Sequence, residues 1–330
     1  MSTPLTEWSV VIPCHNAAKT LRRCLESVFA QTAPPGEVIV VDDAGTDGSA
    51  AIAAEFGCRV VEQRPNRGPA AARNLGAATA AGEVLFFLDS DLALEPDALE
   101  RAADALEADA DTGVVQGVYA PEPLVDDGPV ERYKVLFEHH WRVRAAGTGS
   151  ATLFALTAIR AKAFADTGGF DESLRDGEDV ELGTRLPPRW TVRTDPAVRG
   201  RHDDVDTLGG LLAEQWQRSL RFAELLIRSR RSAEGGQSVR TVSLGPVTVL
   251  SCALVVAGLP LAMWWPPLAV VPPAAAAVFG VANTGLLRGA AVRGPGWVAA
   301  VFGLHLLYVA TAGLAALVGV LRPAVWTVRP

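Results

Sequence analysis

The ninety residues from Thr241 to the C-terminus contain no aspartate, glutamate or lysine. Their only charged side chains are Arg288, Arg293, Arg322 and Arg329. A soluble domain keeps its charged residues on its surface, so a segment this poor in charge belongs in a bilayer. Thr241 to Leu287 alone is 47 residues without a charge. At about 1.5 Å per residue, a single helix of that length would far overshoot a hydrocarbon core of about 30 Å. Two spans fit, near Leu244–Trp264 and Pro267–Leu287, broken near Trp264–Pro267. A third is expected near Trp297–Leu321, within the uncharged stretch Gly294–Leu321. The second is the weakest, because Pro272 and Pro273 would fall inside it. A re-entrant or interfacial element is the alternative there.

All 37 acidic residues therefore lie in residues 1–240, with 26 basic ones, a formal charge of −11. An acidic soluble domain precedes a hydrophobic one. The expected organisation is an α/β domain over residues 1–206, an amphipathic interface helix with a basic linker over 207–240, and a transmembrane region of about three helices over 241–330. No basic patch with interleaved aromatics occurs, which argues against a nucleic-acid partner. Cys14, Cys24, Cys58 and Cys252 have neither metal-ligand spacing nor the density of a disulfide framework, so reduced thiols are expected. Met1 to Trp8 lacks a basic segment and an apolar core, so no signal peptide is read there and the first domain is expected in the cytoplasm.

Residues 8–120 alternate short apolar runs with helical periodicity. Strands are predicted at Trp8–Ile12, Glu37–Val41, Cys58–Val61 and Val84–Leu88, and helices at Ala17–Gln31, Asp47–Phe56, Pro69–Ala80 and Pro96–Ala108. Such alternation reads as βαβ units around a parallel sheet, whose ligands bind beyond the strand C-terminal ends. The polar clusters Pro13–Asn16, Asp42–Asp43 and Asp89–Asp91 each follow a strand directly. Residues 121–150, rich in proline and aspartate and then aromatic and basic, read as a crossing segment or loop. Near Leu208–Ile227, Leu212, Trp216, Leu220, Ala223 and Ile227 share one helical face, suited to a membrane interface or to packing on the sheet or a neighbouring helix.

Five strings occur in order: Val10-Val11-Ile12-Pro13-Cys14-His15-Asn16; Val40-Val41-Asp42-Asp43-Ala44-Gly45-Thr46-Asp47-Gly48-Ser49; Asn66-Arg67-Gly68-Pro69 through Arg73-Asn74; Phe87-Leu88-Asp89-Ser90-Asp91; and Gly168-Gly169-Phe170-Asp171-Glu172 followed by Gly177-Glu178-Asp179-Val180. Together they resemble the family 2 glycosyltransferases over roughly residues 8–205. The resemblance implies a GT-A fold, a mostly parallel α/β sheet flanked by helices, here joined to C-terminal transmembrane helices. It implies inverting transfer of a sugar from a nucleotide diphosphate sugar, with UDP favoured, to a lipid or lipid-linked acceptor.

The residue types suit that chemistry. Two carboxylates one residue apart, Asp89 and Asp91, suit a hard divalent cation such as Mg²⁺ or Mn²⁺ that also takes diphosphate oxygens. On its own such a pair is more often an exposed loop or a helix N-cap. By resemblance, Asp91 is the main metal ligand, Asp89 with Ser90 faces the ribose and metal, and Asp43 binds the base. Asp42 is expected to be structural. Pro13, His15 and Asn16 would line the nucleotide pocket, although the family often carries tyrosine where His15 stands. Arg73 would neutralise phosphate or hold the base-binding loop. Asp179 is assigned as the base that takes the acceptor hydroxyl proton, and Glu178 as the group that orients it or binds acceptor hydroxyls. His202 is either a metal or phosphate contact or an ordinary surface histidine. Gln215, Trp216 and Arg218 fail to match the Q-x-x-R-W signature of processive relatives, which argues against a polysaccharide synthase.

Two other classes compete. A nucleotidyltransferase can share the sheet and metal site, but its glycine-rich first loop is absent from Pro13–Ala17. A degenerate membrane binding or assembly module would not need both acidic pairs. The arginines at 228, 230, 231 and 240 ahead of the first span predict a multi-pass protein of the cell membrane whose catalytic domain stays cytoplasmic, with its acceptor groove near the bilayer surface.

Overall fold

The computed structural model describes residues 5–149, 152–174, 177–231 and 244–321. The chain divides into two compact units, one of residues 5–126 and 141–204, the other of 127–140, 205–231 and 244–321. Arg240, which entered the topology argument, lies outside the described residues, as do Arg322 and Arg329.

The first unit opens with β1 (Leu5–Cys14), α1 (Leu21–Phe29), β2 (Pro35–Asp43), α2 (Ser49–Glu55), β3 (Arg59–Gln63), α3 (Pro69–Thr79), β4 (Val84–Leu88), β5 (Leu92–Leu94), α4 (Ala98–Glu107) and β6 (Thr112–Tyr119). The alternation predicted from sequence is present, with element ends shifted by a few residues. The 121–150 segment is a correction. It contains α5 (Pro129–Arg144), a 16-residue helix. Gly128 at φ +135° and Pro129 start it. Glu131 in its first turn and Arg142 and Arg144 in its last suit the helix dipole. Then follow β7 (Gly147–Gly149), β8 (Leu156–Arg160), α6 (Ala161–Thr167), α7 (Glu178–Arg185) and β9 (Thr191–His202). His202 is the last residue of β9.

One sheet runs β3-β2-β1-β4-β8-β6-β9-β5, with β7 beside β9. From β3 to β4 the pairing is parallel. Beyond β4 the sheet is mixed: β8 is antiparallel to β4 and β6, while β6 and β9 run parallel. Register aligns the polar clusters: Cys14 pairs Asp42, and Val11 pairs both Ile39 and Phe87. The ends of β1, β2 and β4 thus open on one edge. Val10, Ile12, Val40, Phe86 and Leu88 are fully buried on one face against Leu21, Leu25 and Leu99. On the other face, Phe87 packs edge-on against Phe154 and Phe170. Helix α3 lies very close to the sheet, because a Cβ at Gly76 would come 2.3 Å from Val11 Cγ1 and 3.2 Å from Val41 Cγ2.

The second unit contains α8 (Leu208–Arg231), α9 (Pro246–Trp264), a 3₁₀ turn at Pro266–Val270, α10 (Val271–Ala282), α11 (Thr284–Ala291) and α12 (Pro295–Leu321). Helices α9 and α12 are long and apolar enough to cross a membrane. The middle segment is not a straight span. The 3₁₀ turn and α10 meet α11 at a 76° bend, which makes a broken span or a re-entrant loop. Pro272 and Pro273 fall in the first turn of α10, where proline costs no hydrogen bond. Helix α8 packs along α12, burying Leu211, Gln215 and Leu220 and half-burying Leu212 and Trp216. The buried polar groups of this unit are paired: Tyr133 Oη lies 2.9 Å from His305 Nδ1, and His305 Nε2 lies 3.0 Å from Asn283 Oδ1 at the bend.

Substituting Gly76→Val should force α3 off the sheet and cost about 1–3 kcal/mol by overpacking. A thermal midpoint equal to that of the parent in detergent solution would refute this close approach.

Candidate active site

The loop after β1 is held by its neighbours. His15 Nδ1 lies 2.7 Å from the Asp43 carbonyl, and Asn16 Oδ1 accepts a hydrogen bond from Thr46 N at 2.7 Å. Asn16 adopts φ +52°, a conformation asparagine tolerates, and both side chains are exposed. Half-buried Pro13 precedes them.

Asp42 and Asp43 are both buried. Asp42 accepts from Gly45 N at 2.9 Å and from the Arg64 guanidinium at 3.0 Å, and so ties down its own loop. Asp43 accepts from Gln63 Nε2 at 2.7 Å, Arg67 N at 2.8 Å and Gly68 N at 2.8 Å. Three of about four acceptor positions on that carboxylate are therefore occupied by the chain. Its main effect is to shape the 66–68 loop.

Arg73 is almost fully buried and donates to Asp89 Oδ1 at 2.8 Å and to Glu178 Oε1 at 2.7 Å. It joins the two acidic strings, a role that neither sequence reading of this residue anticipated. Burial raises the Asp89 carboxyl above the ordinary carboxylate range, with Arg73 opposing. Ser90 turns its carbonyl to Thr20 Oγ1 at 2.9 Å.

Asp91 and His202 meet because β5 and β9 pair Leu92 with His202. The Asp203 N–H closes on the Asp91 carbonyl at 2.9 Å. His202 Nε2 stands 3.6 Å from Asp91 Oδ2. Its Nδ1 is 3.2 Å from Asp204 Oδ2, near enough for an ion pair but poorly aligned for a hydrogen bond. Burial opposes charge on His202, but Tyr119 and the two carboxylates hold it well above its ordinary range. Asp91 Oδ1 is buried and has no hydrogen-bond partner among the described residues. An orphaned carboxylate oxygen and an imidazole beside it are ligand types that Mg²⁺ or Mn²⁺ accepts.

Glu178 and Asp179 open α7 behind Gly177, which adopts φ +79°. The preceding string is anchored by Asn74, which accepts from Phe170 N at 2.8 Å and donates to its carbonyl at 2.9 Å. Glu178 is buried on Arg73, while Asp179 is half-buried. Asp179 Oδ1 accepts from Val180 N at 2.7 Å. Burial and the neighbouring Glu178 push the Asp179 carboxyl up to about 6, offset in part by Val180 N–H, Arg73 and Arg142.

Two further side chains reach the site unannounced by any string. Tyr119, at the end of β6, stacks on His202, and Arg142 lies over the Tyr119 ring. Aromatic and basic residues in 133–142 were visible as a cluster, but only the length of α5 decides where they go.

The sequence profile of the family described as Glycosyl transferase family 2 matches residues 9–162. Those residues, a little under half of the chain, are similar to glycosyl transferase family 2. The chain is 32% identical over 224 residues to a pre-mycofactocin glycosyltransferase of Mycobacterium tuberculosis, a match covering 63% of this chain and 45% of that protein. It is 29% identical over 272 residues to the glycosyltransferase AglE of Haloferax volcanii, covering 79% and 84% respectively. The chain thus spans about half the length of the first of these relatives. A mannosyltransferase from Pyrobaculum calidifontis, solved with GDP-Man and Mn²⁺, has the same fold with a TM-score of 0.57 at 22% identity, over 94% of this chain and 87% of that one. The expected GT-A class accounts for this mixed α/β sheet with flanking helices.

The raised Asp179 value carries a stability consequence. Its folded-state pKa of about 6 exceeds the ordinary 3.8, so stability falls as pH rises between these values and stays reduced above them. Asp179→Asn should therefore raise the thermal midpoint at pH 8 relative to the parent, with the gap closing by pH 4. A gap independent of pH would show that the Asp179 carboxyl is not buried as described.

Proposed function

We propose that this protein is a membrane-anchored inverting glycosyltransferase that moves a sugar from a nucleotide diphosphate sugar to a lipid or lipid-linked acceptor. One observation carries the reading: two acidic pairs, Asp89/Asp91 and Glu178/Asp179, are locked to each other through a single buried arginine. Inverting transfer needs such a juxtaposition, with leaving-group stabilisation on one side of the anomeric carbon and a base on the other.

Pro13, His15, Asn16 and Asp43 frame the nucleotide. Asp89, Asp91 and His202 would hold Mg²⁺ or Mn²⁺. When bound, that ion offsets charge developing on the departing nucleoside diphosphate. Ser90 and Asp89 would meet the ribose. On the acceptor side, Asp179 accepts the hydroxyl proton as the oxygen attacks, and its value of about 6 keeps it largely ionised at neutral pH. Glu178 orients that carboxylate, held in turn by Arg73. The donor nucleotide is UDP if Asp43 spends its remaining acceptor position on a uracil imide. The solved mannosyltransferase of the same fold carries GDP-Man, which makes GDP the first competitor. The lipid acceptor follows from the two apolar helices that share the chain with this site.

A thermal-shift screen of UDP- and GDP-sugars with Mn²⁺ on the full-length protein should find one stabilising donor. Asp91→Ala should abolish Mn²⁺-dependent donor stabilisation and turnover. Asp179→Asn should keep the donor shift and lose about 10²–10⁴-fold in transfer to a lipid extract. The product should carry the anomeric configuration opposite to that of the donor, read by NMR. Collapse of donor binding in Asp179→Asn would move that residue to the nucleotide site and overturn its role.

The catalytic unit belongs in the cytoplasm, where nucleotide sugars are made. If the bent α10–α11 pair spans, a reporter fused after Pro330 reads external; if it re-enters, the reporter reads cytoplasmic. External catalytic residues, detected by protease protection of the first unit, would refute the orientation.

A further inference from the structure

Two carboxylates flank the His202 ring: Nε2 lies 3.6 Å from Asp91 Oδ2 and Nδ1 3.2 Å from Asp204 Oδ2. Neither contact is a well-aligned hydrogen bond, so neither fixes the tilt of the ring. A metal ligand must suppress that tilt, because a nitrogen lone pair bonds along one direction only.

The register of β6 and β9 supplies the missing contact. Tyr119 pairs with Gly200, and His202 is the next residue on the same face of β9. Gly200 has no side chain to hold the tyrosine ring upright, so the ring reaches over to His202. The two rings lie 4.5 Å apart at 19°, face to face. The Arg142 guanidinium sits 3.9 Å from the centroid of the Tyr119 ring and 4.7 Å from that of Trp141, and all but a small part of Arg142 is buried. Arg142, Tyr119, His202 and Asp91 thus form one continuous column. A guanidinium packed flat on an aromatic face is a directional contact, and lysine would not reproduce it.

We propose that Tyr119 and Arg142 are positioning residues that fix the plane of the His202 imidazole and so the direction from which Nε2 meets a divalent cation. This rests on the reading of His202 as a metal ligand. Neither residue touches the ion or the sugar; both act through the imidazole.

The test measures Mn²⁺ binding to the full-length protein by the loss of the free-ion EPR signal, with GDP and separately with UDP present. Tyr119→Leu should weaken Mn²⁺ binding about tenfold, the lower end of the 10–100-fold typical when a ligand's supporting partner is removed. Tyr119→Phe keeps the ring and should bind close to the parent. Arg142→Ala should weaken binding several-fold. In a His202→Ala background, neither Tyr119→Leu nor Arg142→Ala should have any further effect, because residues acting through one group are non-additive. A purely structural contribution would add in full. Should Tyr119→Leu fail to fold, Arg142→Ala and the conservative Arg142→Gln carry the test, since neither alters the strands. Parent-like Mn²⁺ binding in the Arg142 variants, or additivity with His202→Ala, would overturn the proposal while leaving His202 a ligand. If His202→Ala itself binds Mn²⁺ like the parent, the ligand reading falls and the proposal with it.

Discussion

The catalytic unit is organised around one buried cation. Arg73 reaches from α3 to the carboxylate at the end of β4 and to the carboxylate that opens α7. A buried guanidinium is expensive unless its donors are met by acceptors of fixed geometry, and breaking such a set strands the remaining charges. The fork of an arginine matches two separate carboxylates, which a lysine ammonium could not hold at defined angles. The reach depends in turn on Gly76, one turn along α3 from Arg73 and on the same face. Without a side chain there, the helix settles against Val11 and Val41 and carries Arg73 down to the level of the strand ends.

This shows why some of the site was legible in sequence and some was not. Asp42, Asp43, Asp89 and Asp91 were readable because each follows an apolar run, and strand ends converge on one edge whatever the rest of the fold does. Glu178 and Asp179 were readable from their string, but their tie to Asp89 was not, since it depends on how closely α3 approaches the sheet. Tyr119 carried no signal at all. It ends a wholly buried strand and looks like core until the β6–β9 register is known. Residues 121–150 misled for a related reason. Proline and aspartate at the start of the segment masked the Tyr133, Leu136, Phe137 spacing of a helix, and end charges that suit its dipole became visible only with its boundaries.

The hydrophobic unit was the easiest to foresee and the least simple in outcome. Charge depletion fixed its location, but composition does not distinguish a straight span from one bent by 76°. The bend needs partners for the polar groups it exposes, because no water competes for them in hydrocarbon. Asn283 stands at the bend and bonds His305, which in turn meets Tyr133. A histidine within the otherwise apolar α12 is thereby explained by its neighbours rather than by its own helix.

The pairing of β5 with β9 has an evolutionary corollary. Asp91 and His202 are 111 positions apart in sequence, yet their proximity is set by backbone hydrogen bonds between two strands. Side chains alternate along a strand, so a one-residue length change between Thr194 and His202 would turn the imidazole to the opposite face. Exposed positions along this stretch can change, whereas insertions and deletions must arrive in pairs or be absorbed by a bulge. Among descendants of this chain, this strand should vary at its exposed positions while staying rigid in length.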